Sequence, residues 1–196
     1  NLMLLFSEYD KCLENIYISQ PVVDINLGDT NNYLVRFPKF KRVTHMILAF
    51  DAENLFLKSK SSYGYFFNLE SLLTDLEERE NRGYFVVAVT SNSSRQKQYN
   101  PYPRGEQENF ATMHIESILE DHLPQIYGDY DVDVANLKKI VMGASMGGLM
   151  SIKTGILNPS FENIISLSPA FWFGFPGIVN DLSLIHISEP TRPTPI

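Results

Sequence analysis

The chain has 196 residues, 44% of them hydrophobic and 20% charged, enough apolar material for one domain with a sizeable core and too little polarity for a disordered segment. Its 16 basic residues against 23 acidic ones leave a net charge of -7, and an acidic chain without a basic stripe argues against nucleic acid or an anionic membrane as a partner. Cys12 is the single cysteine, so an intrachain disulfide or a thiolate metal cluster is excluded. No apolar run approaches membrane-spanning length, and Asn1 to Phe6 is too short and lacks the basic start of a signal peptide. The expected setting is the cytoplasm, with a signal upstream of Asn1 left open.

Taken in chain order, short apolar runs alternate with longer amphipathic stretches. Ile16 to Ser19 and Tyr33 to Phe37 read as early strands, antiparallel because the Gly28-Asp29-Thr30-Asn31-Asn32 link is too short for a helical crossover. Thr44 to Phe50 reads as the first buried strand. Leu69, Leu72, Leu73 and Leu76 recur at helical spacing, and Gly83 closes that helix before a second buried strand at Tyr84 to Val89. Phe110, Ile115, Ile118 and Leu119 mark another helix, expected to end near Pro124. A third strand at Ile140 to Met142, a helix from Leu149 to Leu157 stopped by Asn158-Pro159, and a strand at Ile164 to Leu167 complete the series. The right-handed crossover rule sets the four later strands parallel. The expected fold class is α/β, a mostly parallel central sheet flanked by helices.

The segment Lys138 to Gly148 carries the strongest chemical signal. A short apolar run enters Gly143-Ala144-Ser145-Met146-Gly147 and a helix-forming stretch leaves it, the sequence form of a nucleophile elbow. Glycines on both sides let strand and helix approach closely, and the turn lifts one side chain clear of the sheet. Ser145 is therefore the candidate nucleophile. The alternative is a Gly-rich turn with an inert serine.

The end of the chain reads differently. Leu182 to Arg192 follows, residue for residue, one translated frame of a transposase sequencing adaptor. The expected organisation is thus a truncated domain over residues 1–181 and a non-native tail over residues 182–196.

Ligands of an open parallel sheet bind beyond the carboxyl ends of its strands. Those ends are polar and aromatic here: Asp51-Ala52-Glu53-Asn54-Leu55-Phe56, Ser91 to Pro103 with Arg95 and Tyr99-Asn100-Pro101, Ser145, and Ser168-Pro169-Ala170-Phe171-Trp172. From His45 to Trp172 this series resembles the Putative esterase family of α/β-hydrolases, which includes esterase D-like, feruloyl, acetylxylan and siderophore esterases and the antigen 85 mycolyltransferases. The family's Asp-Gly-Gln-Asn-Leu-Phe turn corresponds to Asp51 to Phe56, with Ala52 and Glu53 replacing Gly and Gln. The resemblance implies an α/β-hydrolase fold that lacks its last strands and helix.

It also implies a serine carboxylic-ester hydrolase working through a covalent acyl-enzyme on Ser145, with a small-molecule ester as partner and no cofactor. Acyl transfer needs an activated hydroxyl, a base, and donors aimed at the developing oxyanion. The backbone N–H of Met146 would be one donor and, by resemblance, that of Glu53 the second. Arg95, Tyr99, Phe171 and Trp172 are the candidate substrate contacts, with Tyr102, Pro101, Pro103 and Phe173 nearby; the aromatics and prolines read equally as core filling, and Arg95 equally as an arginine tied to a loop carboxylate. Asp51 reads equally as a turn former and as a residue orienting the site. In this fold the triad follows the order Ser, Asp or Glu, His. His45, His114 and His122 precede Ser145 and read as structural, His186 falls in the adaptor-like tail, and Asp181 is not assigned. Base and acid are therefore expected beyond residue 181, and the fragment alone is expected to be inactive. No His, Asp and Glu cluster has metal-ligand spacing, so no metal is expected. An acyltransferase using the same serine and a non-catalytic binding protein of the same fold are the alternatives.

Overall fold

A computed structural model describes residues 9–39, 41–61, 64–105 and 107–185. A seven-stranded mixed sheet forms the centre. Its strands are β1 (Tyr9–Leu13), β2 (Ile16–Ser19), β5 (Tyr33–Arg36), β6 (His45–Phe50), β7 (Tyr84–Val89), β8 (Lys138–Ala144) and β9 (Phe161–Leu167), in the spatial order β1-β2-β5-β7-β6-β8-β9. The first three and β7 pair antiparallel, whereas β7, β6, β8 and β9 run parallel. The four parallel strands and the antiparallel pair at the start agree with the sequence reading.

Every residue of β6 and β7 is buried, which explains their unbroken apolar runs: both faces of a parallel sheet are covered. Alternate residues serve the two faces. Met46, Leu48, Phe50, Phe85, Val87 and Val89 pack under α3 (Phe110–Ser117) and α4 (Leu123–Asp129), together with Met150 of α5 (Met146–Leu157). Ile47, Ala49, Val86 and Ala88 pack with Leu69 and Leu73 of α1 (Leu69–Glu80). A one-residue slip would exchange the two sets, so the pattern also fixes the register.

Several elements differ from expectation. Strand β1 and a small hairpin of β3 (Val22–Asp24) and β4 (Asp29–Asn31) lie within stretches that lack a strong apolar period. The hairpin is closed by Gly28 at φ 66°, whose N–H bonds Asp24 O at 2.8 Å, while the Asp24 side chain accepts from Asn26 and Leu27. The helix expected to end near Pro124 instead passes through a π-helical turn at Ile118–His122 into α4. Pro124 sits in the first turn of α4, where its missing N–H is not needed. β9 begins at Phe161, earlier than expected. Short helices α2 (Arg95–Gln98) and α6 (Phe171–Gly174) follow β7 and β9, and α7 (Gly177–Ile185) closes the described chain. α7 crosses the boundary drawn at Asp181, and Leu182 packs against Leu149, Ile152, Ala170 and Ile178.

β9 stands at one edge of the sheet among the described residues, with Ile164, Ile165 and Leu167 exposed by 40%, 41% and 41%. Its contrast with fully buried β6 shows that this side of the sheet carries an uncovered apolar surface. No helix among the described residues is long and apolar enough to cross a membrane.

Candidate active site

The site is built where β6, β7 and β8 end. After Ala144 the backbone turns sharply at Ser145, φ 55° and ψ -117°, and continues directly into α5. A non-glycine residue with positive φ costs about 1–3 kcal/mol and persists only where its surroundings impose it. Here they do: the Ser145 N–H donates to Leu167 O at 2.9 Å, and its carbonyl accepts from Ala170 N–H at 3.0 Å and Gly148 N–H at 3.1 Å. A Cβ on Gly143 would fall 2.2 Å from Gly147 O, and one on Gly148 would fall 2.8 Å from Ser166 Oγ. Packing thus requires glycine at these two positions.

The Ser145 side chain is exposed and borders a cavity of about 270 Å³. Phe50, Leu55, Tyr65, Phe67, Met142 and Leu167 make its apolar wall, and Asp51, Asn54, Arg95 and Ser145 its polar part. The N–H groups of Met146 and Gly147, the first two of α5, precede the helix's own acceptors and carry the positive end of the helix dipole to the same corner. That arrangement suits a negative charge developing beside Ser145.

Two carboxylates tie the turn after β6 to the segment after β7. Asp51, at φ 58°, accepts a forked pair of bonds from Arg95, Nε to Oδ1 and Nη2 to Oδ2, each 2.9 Å. This bonding, with the Asp51 charge, raises the Arg95 guanidinium above its ordinary value against the opposing effect of burial. Arg95 Nη1 also donates to Met146 Sδ at 3.3 Å. The Glu53 carboxylate accepts from Ser91 N–H at 3.1 Å and from Ser91 Oγ at 2.5 Å. Burial raises the Glu53 carboxyl above its ordinary value even though the Ser91 bond pulls it down.

Other candidates from the sequence fall elsewhere. Tyr99 is fully buried behind the cavity, edge-on to Phe50 at 5.7 Å, and its hydroxyl accepts the Asp51 N–H at 3.3 Å, so it does not line the cavity. Phe171 and Trp172 also lie outside the cavity wall; Trp172 is 78% exposed and meets Phe173 edge-on at 5.6 Å. Phe173 lines a separate groove with Asn100, Pro103 and Phe110. In place of these aromatics the structure brings Tyr65 and Phe67 to the cavity. Their sequence signal was the aromatic cluster Tyr63-Gly64-Tyr65-Phe66-Phe67 inside an otherwise polar loop.

None of the histidines before Ser145 borders this cavity. His45 begins β6, beside Tyr84 and Lys138, at the opposite end of the sheet from the elbow, and bonds Thr44 Oγ1 at 2.8 Å. His114 Nδ1 lies 3.1 Å from Asp24 Oδ2, and His122 Nδ1 bonds the Tyr33 hydroxyl. Burial brings the His122 imidazole down to about 4. Asp181 Oδ2 accepts from Tyr102 OH and Lys153 Nζ, each at 2.9 Å, a tie between α7, α5 and the segment after α2. His186 lies outside the described residues. Among the described residues no group of three or more His, Cys, Asp or Glu side chains could hold a metal ion.

With this geometry in place, comparison with known proteins decides the family. The Putative esterase family matches residues 27–180. The chain belongs to that family, and ester hydrolysis is the chemistry the family name carries. Solved structures agree at the level of fold. Siderophore hydrolase EstB from Aspergillus nidulans superposes with a TM-score of 0.68 at 18% identity, over 96% of this chain and 67% of its own. The BES protein from Bacillus cereus gives 0.68 at 16% identity, over 94% of this chain and 73% of its own. The enterobactin esterase FES from Shigella flexneri gives 0.59 at 13% identity, over 91% of this chain but only 44% of its own. No curated protein shows significant sequence similarity to the chain. These relatives establish an α/β-hydrolase fold of which the chain spans about two thirds in the Aspergillus enzyme.

Proposed function

We propose that this member of the esterase family is a serine carboxylic-ester hydrolase in which Ser145 attacks the ester carbonyl and carries a covalent acyl group. The observation that carries the reading is the Ser145 backbone, φ 55° and ψ -117°, at the mouth of a cavity and the start of a helix. The backbone N–H of Met146 would bind the oxyanion, joined by that of Glu53. The base and its acid would come from sequence beyond residue 181, with residues 182–196 outside the functional unit. The substrate would be a small-molecule ester whose acyl group enters the apolar side of the cavity. Its volume of about 270 Å³ suits a small acyl group.

The test is turnover of p-nitrophenyl esters by the intact gene product and its Ser145→Ala variant. Loss of the nucleophile is expected to leave only the acceleration of about 10³ to 10⁴ over water that binding and an oxyanion site provide. Wild-type turnover in Ser145→Ala would contradict the proposal.

A further inference from the structure

We propose that the Asp51–Arg95 ion pair is a positioning device for the oxyanion site and not a contact for substrate, an inference that rests on Ser145 being the nucleophile. Three chain segments meet in this corner: the turn after β6, the segment after β7, and the elbow after β8. Arg95 bonds to or stacks on all three. Its Nε and Nη2 grip both oxygens of Asp51 at 2.9 Å, its Nη1 reaches Met146 Sδ at 3.3 Å, and its guanidinium lies 5.1 Å from the Tyr99 ring centre.

Asp51 is fixed from its other sides as well. Its N–H donates to the buried Tyr99 hydroxyl at 3.3 Å, and Oδ2 would stand 2.8 Å from a Cβ on Gly147, so the carboxylate abuts the first turn of α5. Its left-handed backbone, φ 58° and ψ 50°, is one a non-glycine residue holds only under restraint. The two elements asked to supply oxyanion donors, the turn at 52–54 and the start of α5, are thereby held to each other through one guanidinium. A bidentate fork with a carboxylate also neutralises Arg95 and occupies the face it would offer an anionic substrate. The pair therefore sets distance in the transition state and contributes little to ground-state binding.

Removing such a device lowers kcat while leaving KM in place. In the intact protein, with a neutral p-nitrophenyl ester, Arg95→Lys and Asp51→Asn are each expected to lower kcat about 100-fold, the scale of a misplaced catalytic group. KM is expected to stay within about threefold, and the double variant to be no worse than the weaker single, as for two halves of one unit. Lysine does not rescue, because a point charge cannot span the fork. Thermal unfolding is followed in parallel, and Met146→Leu, which keeps volume and removes the sulfur acceptor, stands in for any variant that does not fold; it too should lower kcat at unchanged KM. A raised KM at full kcat makes Arg95 a substrate contact and overturns the proposal, as does full kcat in all the variants. Ser145→Ala is run alongside: activity persisting there removes the nucleophile reading, whereas loss there with full kcat in the pair variants overturns the positioning role alone.

Discussion

Arg36 and Arg95 each fork onto a carboxylate, and their surroundings give the same chemistry two different meanings. Arg36, on β5, is fully buried; its Nε donates to Glu70 at 2.6 Å, its Nη1 to Tyr84 O at 2.9 Å, and its Nη2 to Glu77 at 3.2 Å, with Glu77 also fully buried. Arg95 makes an equally good fork with Asp51, yet its side chain is 34% exposed and borders the cavity beside Ser145. Where protein fills every direction around the charges, the pair seals α1 onto the sheet. Where one direction is open to a cavity, the pair instead ties together the turns that border that cavity. Burial and neighbours, not the bond itself, separate a structural clamp from one at an active site.

The largest expected effect comes from breaking the buried clamp. Arg36→Met removes the guanidinium that Glu70 and the fully buried Glu77 share, which should cost about 3–5 kcal/mol of stability, read from chemical denaturation. An effect below about 1 kcal/mol would mean that Arg36 is no more structural than a surface pair.

Next in size is an acid effect that belongs to the core and not to the site. His122 is held neutral by burial, with a value near 4 in the fold against 6.5 unfolded. The unfolded chain thus binds the extra proton between those values, and stability present above pH 6.5 is lost as pH falls toward 4, on the order of 3 kcal/mol in all. Glu70 continues the loss further down: burial pushes its carboxyl up, but the bond and charge of Arg36 outweigh it and hold the carboxyl below 4.5. Its contribution is present above pH 4.5 and is lost as pH falls through that lower folded value. Unfolding measured against pH should show the upper limb shrink in His122→Phe, leaving the part that buried His45 supplies, and the lower limb flatten in Arg36→Met.

A smaller change sharpens the site half of the comparison. A Cβ at Gly147 would lie 2.8 Å from Asp51 Oδ2 and 3.3 Å from Phe50 Cβ, so Gly147→Ala forces the carboxylate away from α5. Overpacking of this kind costs about 1–3 kcal/mol, and turnover should fall further than the stability loss explains. The smallest stability effect belongs to Arg95→Lys, expected within about 1 kcal/mol because the pair is partly solvated. Calorimetry of Arg36→Lys and Arg95→Lys side by side checks the contrast directly.

The legible and illegible parts of this fold divide along physical lines. β6, β7 and the elbow could be read from sequence because burial on both faces demands unbroken apolar runs and close packing at Gly143 and Gly148 demands glycine. β1 and the β3–β4 hairpin could not, since their order depends on side-chain bonds such as those of Asp24 and on pairing between distant segments. Pro124 misled because a π-helical turn absorbs the break. At the site, Ser145 stood out by its motif, and Arg95 by its place after β7. Whether Arg95 faced a substrate or a carboxylate depended on the left-handed turn at Asp51, which only three dimensions show. For Tyr99 the sequence leaves pocket wall and core filler equally open, because aromatics are common in both, and its zero exposure places it in the core.

The most direct test of the central claim is to treat the intact protein with a fluorophosphonate and map the adduct by peptide mass spectrometry. The account predicts a single stoichiometric phosphonyl adduct on Ser145, absent from Ser145→Ala. Correctly folded protein that takes no label, or takes it on another serine, would contradict it.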